Sequence, residues 1–325
     1  RIAGGALPPP VLPPGVCRAI DRTADFLAFL RRWMPDLAGL RFAVDCSDGM
    51  AGLLARGLFG PAAVYLNDTP DGRFPNHAPN PLEVENCAAL MAVVREQRLD
   101  AGVIFDGDAD RVMFIDETGA FIQPDWMIPL IARRFLRAEP GARVIHDIRT
   151  SRGVIEALRA DGAEPVIGRV GHAFAKVLMR ESGAVCGGEL AGHYYFRDFY
   201  CCDSGELAAL IVLGELAAAR RRGETLGGLM TPFRRYATTG ELNFRVARKE
   251  AAMHALRAAA ETRETPLRVY DFDGLRIEFA DWWFNVRPSN TEPYLRLVIE
   301  TTDAGTLAAR RGEAEAVLQP YLDRT

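Results

Sequence analysis

Three aspartates at alternate positions, Asp106, Asp108 and Asp110, sit in the run Asp-Gly-Asp-Ala-Asp-Arg at 106–111. A near-extended backbone would turn alternate side chains to one side. Three carboxylates then share one small volume, a charge density that a cation relieves. Hard oxygen donors suit Mg²⁺, Mn²⁺ or Ca²⁺. The run follows the apolar stretch Ala101–Phe105, and open α/β sheets bind ligands at the carboxyl ends of their strands. A solvated acidic turn is the competing account. An EF-hand is excluded, because no helical pattern precedes the loop.

Four further segments carry polar groups in loop-like surroundings. Gly187-Gly-Glu-Leu-Ala-Gly-His193 places Glu189 and His193 among glycines that let a backbone approach a ligand. An acceptor carboxylate and an imidazole that donates or accepts suit sugar hydroxyls; a plain Gly-rich turn fits equally well. Arg287-Pro-Ser-Asn-Thr-Glu-Pro293 offers Arg287, Ser289, Asn290 and Thr291. Together with turn N–H groups these can cradle a phosphate, although a proline-punctuated β-turn explains them alone. Asp147-Ile-Arg-Thr-Ser-Arg152 joins a strand to a helix and presents Arg149 and a helix N-terminus to an anion. Gly171-His172 opens another helix, where His172 by itself reads as a surface cap.

The elements that must position these loops alternate. Strands at 40–45, 63–66 and 101–105 are separated by helical patterns at 51–58 and 82–97, and a further helix is expected at 16–33. The pattern restarts with helices at 125–137, 151–161, 172–182 and 204–221 between strands at 143–146, 164–167 and 184–186. After Thr231-Pro232 several strands lie between helices at 249–261 and 303–322. The fold class expected is α/β: two consecutive α/β mixed-sheet domains followed by a smaller α+β C-terminal domain. The expected bounds are a Pro-rich linker at 1–15, then domains at 16–124, 125–236 and 237–325.

The 325 residues carry a net charge of −4, with 49% hydrophobic and 25% charged residues. That is the composition of an ordinary globular protein, and the charge argues against a nucleic-acid partner. Lys stands only at 176 and 249, the other basic residues being Arg. Six cysteines without CxxC spacing point to a reducing compartment. No apolar run approaches the roughly 18 residues of a membrane span, and no signal peptide is visible. The expectation is a cytoplasmic protein.

In order and spacing the three loops resemble those of the α-D-phosphohexomutase family: Asp-Gly-Asp-Ala-Asp-Arg, Gly-Glu-x-x-Gly-His and Arg-x-Ser-Asn-Thr. Pro75-Asn76-His77 with Pro79-Asn80-Pro81 is similar to a further loop of the family. The resemblance runs from about residue 16 to the end. It implies an enzyme of the phosphomannomutase/phosphoglucomutase kind, moving a phosphoryl group between O1 and O6 of a hexose phosphate. One Mg²⁺ per chain would be held by Asp106, Asp108 and Asp110, with Arg111 beside the transferring group. Glu189 would read sugar hydroxyls and His193 would assist proton transfer. Arg287, Ser289, Asn290 and Thr291 would grip the phosphate already on the sugar, and Arg149 and His172 would contact substrate. Glucose or mannose 1,6-bisphosphate is the implied intermediate.

Two departures stand out. Ala191 occupies a place where the family usually has Ser, so one hydroxyl contact is lost. The family's phosphoserine loop, of the Thr-x-Ser-His-Asn-Pro type, does not occur in the 325 residues, and Ser47 falls in a different turn. The expectation is therefore domains two to four of a mutase, inactive alone. Phosphoglucosamine mutase, or a non-catalytic sugar-phosphate binder, is the alternative. A phosphatase using the acidic run as nucleophile would want Asp-x-Asp-x-Thr, and the Thr is not there. Oligomeric state is left open.

Overall fold

The computed structural model describes residues 15–289 and 293–323. Helix α1 (Thr23–Arg31) precedes strand β1 (Phe42–Asp45); residues 16–22, expected to be helical, are exposed coil. Then come α2 (Ala55–Phe59), β2 (Val64–Leu66), α3 (Ala88–Glu96), β3 (Ala101–Phe105), β4 (Val112–Asp116) and β5 (Phe121–Ile122). These strands form one sheet in the order β2-β1-β3-β4-β5. β1 runs parallel to both β2 and β3, and β4 returns antiparallel to β3, Phe105 pairing with Val112. The hairpin between β3 and β4 is the acidic run.

The second unit repeats this plan. It contains α4 (Met127–Leu136), β6 (Arg143–Asp147), α5 (Arg152–Ala160), β7 (Glu164–Gly168), α6 (His172–Ser182), β8 (Cys186–Gly188), β9 (Tyr194–Phe196), β10 (Cys202–Asp203), α7 (Gly205–Arg220) and α8 (Leu226–Leu229). The sheet order is β10-β9-β8-β6-β7, with β6 parallel to β7 and β8, and β9 antiparallel to β8. In both units a functional loop is the turn between a parallel strand and an antiparallel return.

A single core joins the two units. Phe105 and Phe114 of the first sheet, Met127 and Ile131 of α4, Val144 and Phe196 of the second sheet, and Leu207, Leu210 and Leu213 of α7 belong to one buried cluster. Helix α7 is apolar on nearly every side, as a helix between two layers must be. Ser204 caps it, its hydroxyl accepting from the Leu207 N–H at 3.1 Å. Each such leucine adds roughly 1.5–3 kcal/mol relative to an exposed one.

The third unit holds β11 (Ala237–Thr238), β12 (Leu242–Arg245), α9 (Lys249–Arg263), β13 (Arg268–Tyr270), β14 (Leu275–Glu278), β15 (Trp282–Pro288), β16 (Tyr294–Thr301) and α10 (Ala304–Leu318). Its sheet is antiparallel, in the order β11-β16-β15-β14-β13 with β12 also on β16. Its core is separate, built from Ile277, Phe284, Val286, Leu297 and Ile299 under α9 and α10.

Candidate active site

Between β3 and β4 the acidic run curls rather than extends. Ala109 takes φ +67°, so the alternation expected for a stretched chain is not what gathers the carboxylates. They converge because the hairpin closes on itself, and one oxygen from each of Asp106, Asp108 and Asp110 lies within 4.8 Å of the others. Asp106 is buried and accepts from Arg111, from the backbone N–H at 3.2 Å and from Nε at 2.7 Å. Arg111 Nη1 donates to Asn80 Oδ1 at 3.2 Å. Burial pushes the Asp106 carboxyl up against the pull of Arg111. Burial, with Asp106, Asp108 and Asp203 nearby, pushes Asp110 up to about 6 despite His193.

Two neighbours brace this hairpin. Met50 N–H donates to Gly107 O at 3.0 Å, and a Cβ on Gly49 would stand 2.6 Å from that same oxygen. The N-terminus of α7 abuts the other side, Gly205 N–H donating to Ala109 O at 3.2 Å. The glycine at 205 is required by space, since a Cβ there would meet Ala109 O at 2.7 Å.

The 187–193 loop laces onto the acidic hairpin. Arg111 and His193 form an antiparallel bridge, and Val112 N–H donates to Gly192 O at 3.2 Å. His193 Nδ1 lies 2.9 Å from Asp203 Oδ2 and 3.7 Å from Asp110 Oδ2, and Lys176 Nζ lies 2.9 Å from Asp203 Oδ1. Burial pulls the His193 imidazolium down, but Asp203, Asp110 and Glu189 together raise it above the usual histidine value. Asp203 is desolvated, yet His193 and Lys176 hold it well below the usual carboxylate range. His193 stacks on His172, ring centroids 6.0 Å apart. His172 is exposed at the start of α6, its Nδ1 3.4 Å from Lys176 Nζ.

Glu189 is buried, and its Oε1 already accepts from the Gly171 N–H at 3.0 Å and the Tyr195 hydroxyl at 2.9 Å. Its Oε2 lies 3.9 Å from Arg149 Nη2. Burial and the nearby Asp147 raise its pKa against the pull of Arg149 and His193. The carboxylate thus ties β8 and β9 to the start of α6 before any ligand is considered.

Arg149 is buried and clamped. Asp147 Oδ1 accepts from its backbone N–H at 2.6 Å, Asp147 Oδ2 accepts from Nη2 at 2.7 Å, and Glu241 Oε2 accepts from Nη1 at 3.0 Å. Asp147 Oδ2 also accepts from Leu190 N–H at 2.8 Å, joining this loop to the Gly-rich one. Arg287, at the end of β15, is also buried; its Nε lies 3.7 Å from Asp273 Oδ1 and makes no hydrogen bond among the described residues. Burial and the neighbouring Arg149 lower its pKa, against Asp273 and Glu241. Asp273 Oδ2 accepts from Val170 N–H at 2.6 Å, so the third unit is pinned beside the start of α6. Ser289 is buried at the end of the same strand. Asn290 and Thr291 lie outside the described residues.

The structure therefore brings Asp106, Asp108, Asp110, Arg111, His172, Glu189, His193, Arg149 and Arg287 into one run of contacts across three units. Sequence reasoning missed Asp203, Asp147, Glu241 and Asp273. Asp203, Glu241 and Asp273 are lone acids outside any motif, and Asp147 opens the 147–152 run without being marked there as a partner; each is recognisable only by the cation it meets. The three hard carboxylates of the hairpin fit a small divalent cation, because burial and mutual repulsion leave Asp106 and Asp110 reluctant to ionise without one.

Three family models cover most of the chain. The phosphoglucomutase/phosphomannomutase α/β/α domain II matches residues 31–119, α/β/α domain III matches 123–236, and the C-terminal domain matches 241–316. A phosphomannomutase of Salmonella montevideo is 38% identical over 293 residues, covering 87% of this chain and 63% of that protein. The chain thus spans just under two thirds of that relative's length. The solved structure of a phosphoglucomutase/phosphomannomutase family protein from Burkholderia thailandensis superposes with TM-score 0.82 at 31% identity, covering 92% of this chain and 64% of that one. An Aspergillus fumigatus N-acetylphosphoglucosamine mutase, solved with GlcNAc-6P and magnesium, shares the fold alone: TM-score 0.62 at 15% identity, over 92% of this chain and 65% of that one.

Proposed function

The chain belongs to the phosphoglucomutase/phosphomannomutase family, and from that premise we propose that it serves the interconversion of hexose 1-phosphate and hexose 6-phosphate, of glucose, mannose or both, through a 1,6-bisphosphate. The observation that carries this reading is the Arg111–His193 bridge. It sets a cation-seeking hairpin against a loop whose imidazole leans toward the charged form, while two buried arginines stand a few contacts further along.

The chain's own residues divide the work. Asp106, Asp108 and Asp110 hold one Mg²⁺, which supplies neutralisation of the charge that builds on a transferring phosphoryl group. Arg111 uses Nε on Asp106 and one N–H of Nη1 on Asn80, which among the described residues leaves Nη2 and the second Nη1 hydrogen as donors toward phosphoryl oxygens. His193, held by Asp203, gives or takes the proton of the attacking or leaving sugar hydroxyl. Glu189 fixes Gly171, and through it His172 and the edge against which the sugar lies. Arg287 is buried beside Arg149, with an Nε that makes no hydrogen bond among the described residues. That arrangement calls for an anion, and we assign it the phosphate already on the sugar, together with Ser289, Asn290 and Thr291.

Calorimetric titration of the 325-residue chain with glucose 6-phosphate and mannose 6-phosphate tests this directly. At least one of them binds, and Arg287→Ala weakens that binding by about tenfold or more, in line with loss of a charge-assisted contact. Binding that is indifferent to Arg287 would remove the phosphate assignment.

A further inference from the structure

The third unit carries an unusual pair. Arg287 and Arg296 face each other directly across β15 and β16. Like charges opposite one another on antiparallel strands are destabilising, and Arg149 from the second unit adds another guanidinium beside Arg287. One carboxylate serves two of these three. Glu241, in the segment before β12, accepts from Arg149 Nη1 at 3.0 Å through Oε2 and from Arg296 Nη1 at 2.8 Å through Oε1. Among the described residues Arg287 has the longer 3.7 Å contact with Asp273.

We infer that Glu241 is a resident counter-ion of this arginine cluster, displaced from it when a phosphate dianion binds. The inference rests on the phosphate reading of Arg287. A two-oxygen acceptor spanning two guanidiniums has the charge pattern of a bound phosphate edge. It holds Arg149 and Arg296 in place at the cost of competing with the ligand. A phosphate dianion brings twice the charge and more acceptor oxygens, enough to serve all three arginines. A carboxylate monoanion gains nothing over Glu241. The cluster therefore selects dianions, and Glu241 sets the threshold.

The test compares inorganic phosphate and acetate on the full chain, by calorimetry and by thermal melting. The parent binds phosphate and not acetate. Glu241→Gln keeps the shape without the charge; it binds phosphate about tenfold tighter, and phosphate raises its melting temperature by more than it raises that of the parent. Glu241→Asp, too short to reach both arginines, moves in the same direction by less and stands in if the Gln variant fails to fold. Unchanged or weaker phosphate binding in these variants overturns the inference, since that is what a merely structural Glu241 would give. Phosphate affinity unaltered in Arg287→Ala would instead overturn the underlying phosphate reading, so the two failures are separable.

Discussion

His193, Glu189 and Arg287 show how differently three side chains of one site are held. His193 is shifted toward its charged form by its neighbours, Glu189 is engaged by backbone and tyrosine, and Arg287 is desolvated with an Nε that makes no hydrogen bond among the described residues. Their roles separate kinetically. In this chain joined to the phosphoserine domain that the resemblance implies, Arg287→Ala is expected to raise KM for the hexose phosphate by about tenfold or more and to leave the Mg²⁺ concentration for half-maximal rate where it was. A steady-state assay across Mg²⁺ concentrations reads both, and an unchanged KM would contradict the assignment. These residues were legible in the sequence because each sits in a compact run of chemistry-bearing types. Asp203, Asp147, Glu241 and Asp273 were not. A single acid carries no pattern, and only folding shows that it meets His193, Arg149 or Arg287.

The β3–β4 hairpin and the first turn of α7 form one piece of machinery. Gly205→Ala drives a Cβ toward Ala109 O and Arg111 O, at 2.7 and 3.0 Å. The expected outcome is about 1–3 kcal/mol of destabilisation together with weaker Mg²⁺ binding, measured by urea unfolding and calorimetry; parent-like values in both would show that the hairpin does not need this brace. A second test concerns the loop that carries Arg149. Asp125, fully buried, accepts from the Ser151 N–H at 2.8 Å. Burial, with Glu300 and Asp147 adding to it, raises its carboxyl from 3.8 to about 7. The folded state therefore binds this proton more tightly than the unfolded chain, and the stability so gained is complete below pH 3.8 and lost as pH rises through 7. Asp125→Asn removes that loss. Relative to the parent, the variant gains stability between pH 4 and 7 in urea unfolding, whereas a constant difference across that range would refute the assignment. The strands β3, β6 and β7 were readable as apolar runs. The returns β4, β5, β9 and β10 were not, because short antiparallel strands that follow a functional loop lack the alternation with helices that marks a βαβ unit.

Across the molecule the site exists only because three units meet. Arg234 of the second unit pairs with Asp116 of the first at 3.0 Å, and Gly227 N–H donates to Glu117 at 2.9 Å. Arg276 of the third unit, wholly buried and stacked over Trp283, donates to the carbonyls of Ile148 and Thr150 on either side of Arg149, at 2.7 and 2.8 Å. Glu300 accepts from Arg152 N–H at 2.9 Å and Trp283 Nε1 at 2.7 Å. The three-unit plan was legible from the alternation of strands and helices. The docking was not, because the apolar core shared by the first two units and the polar contacts that seat the third join residues far apart in the chain. The central claim is that the acidic hairpin holds the metal for phosphoryl transfer on a hexose phosphate. Asp108→Asn in this chain joined to the phosphoserine domain that the resemblance implies, followed by phosphorus NMR of mannose 1-phosphate or glucose 1-phosphate in Mg²⁺, tests it most directly. Conversion to the 6-phosphate falls by about a hundredfold or more while calorimetric binding of the sugar phosphate persists; conversion at the parent rate would contradict the account.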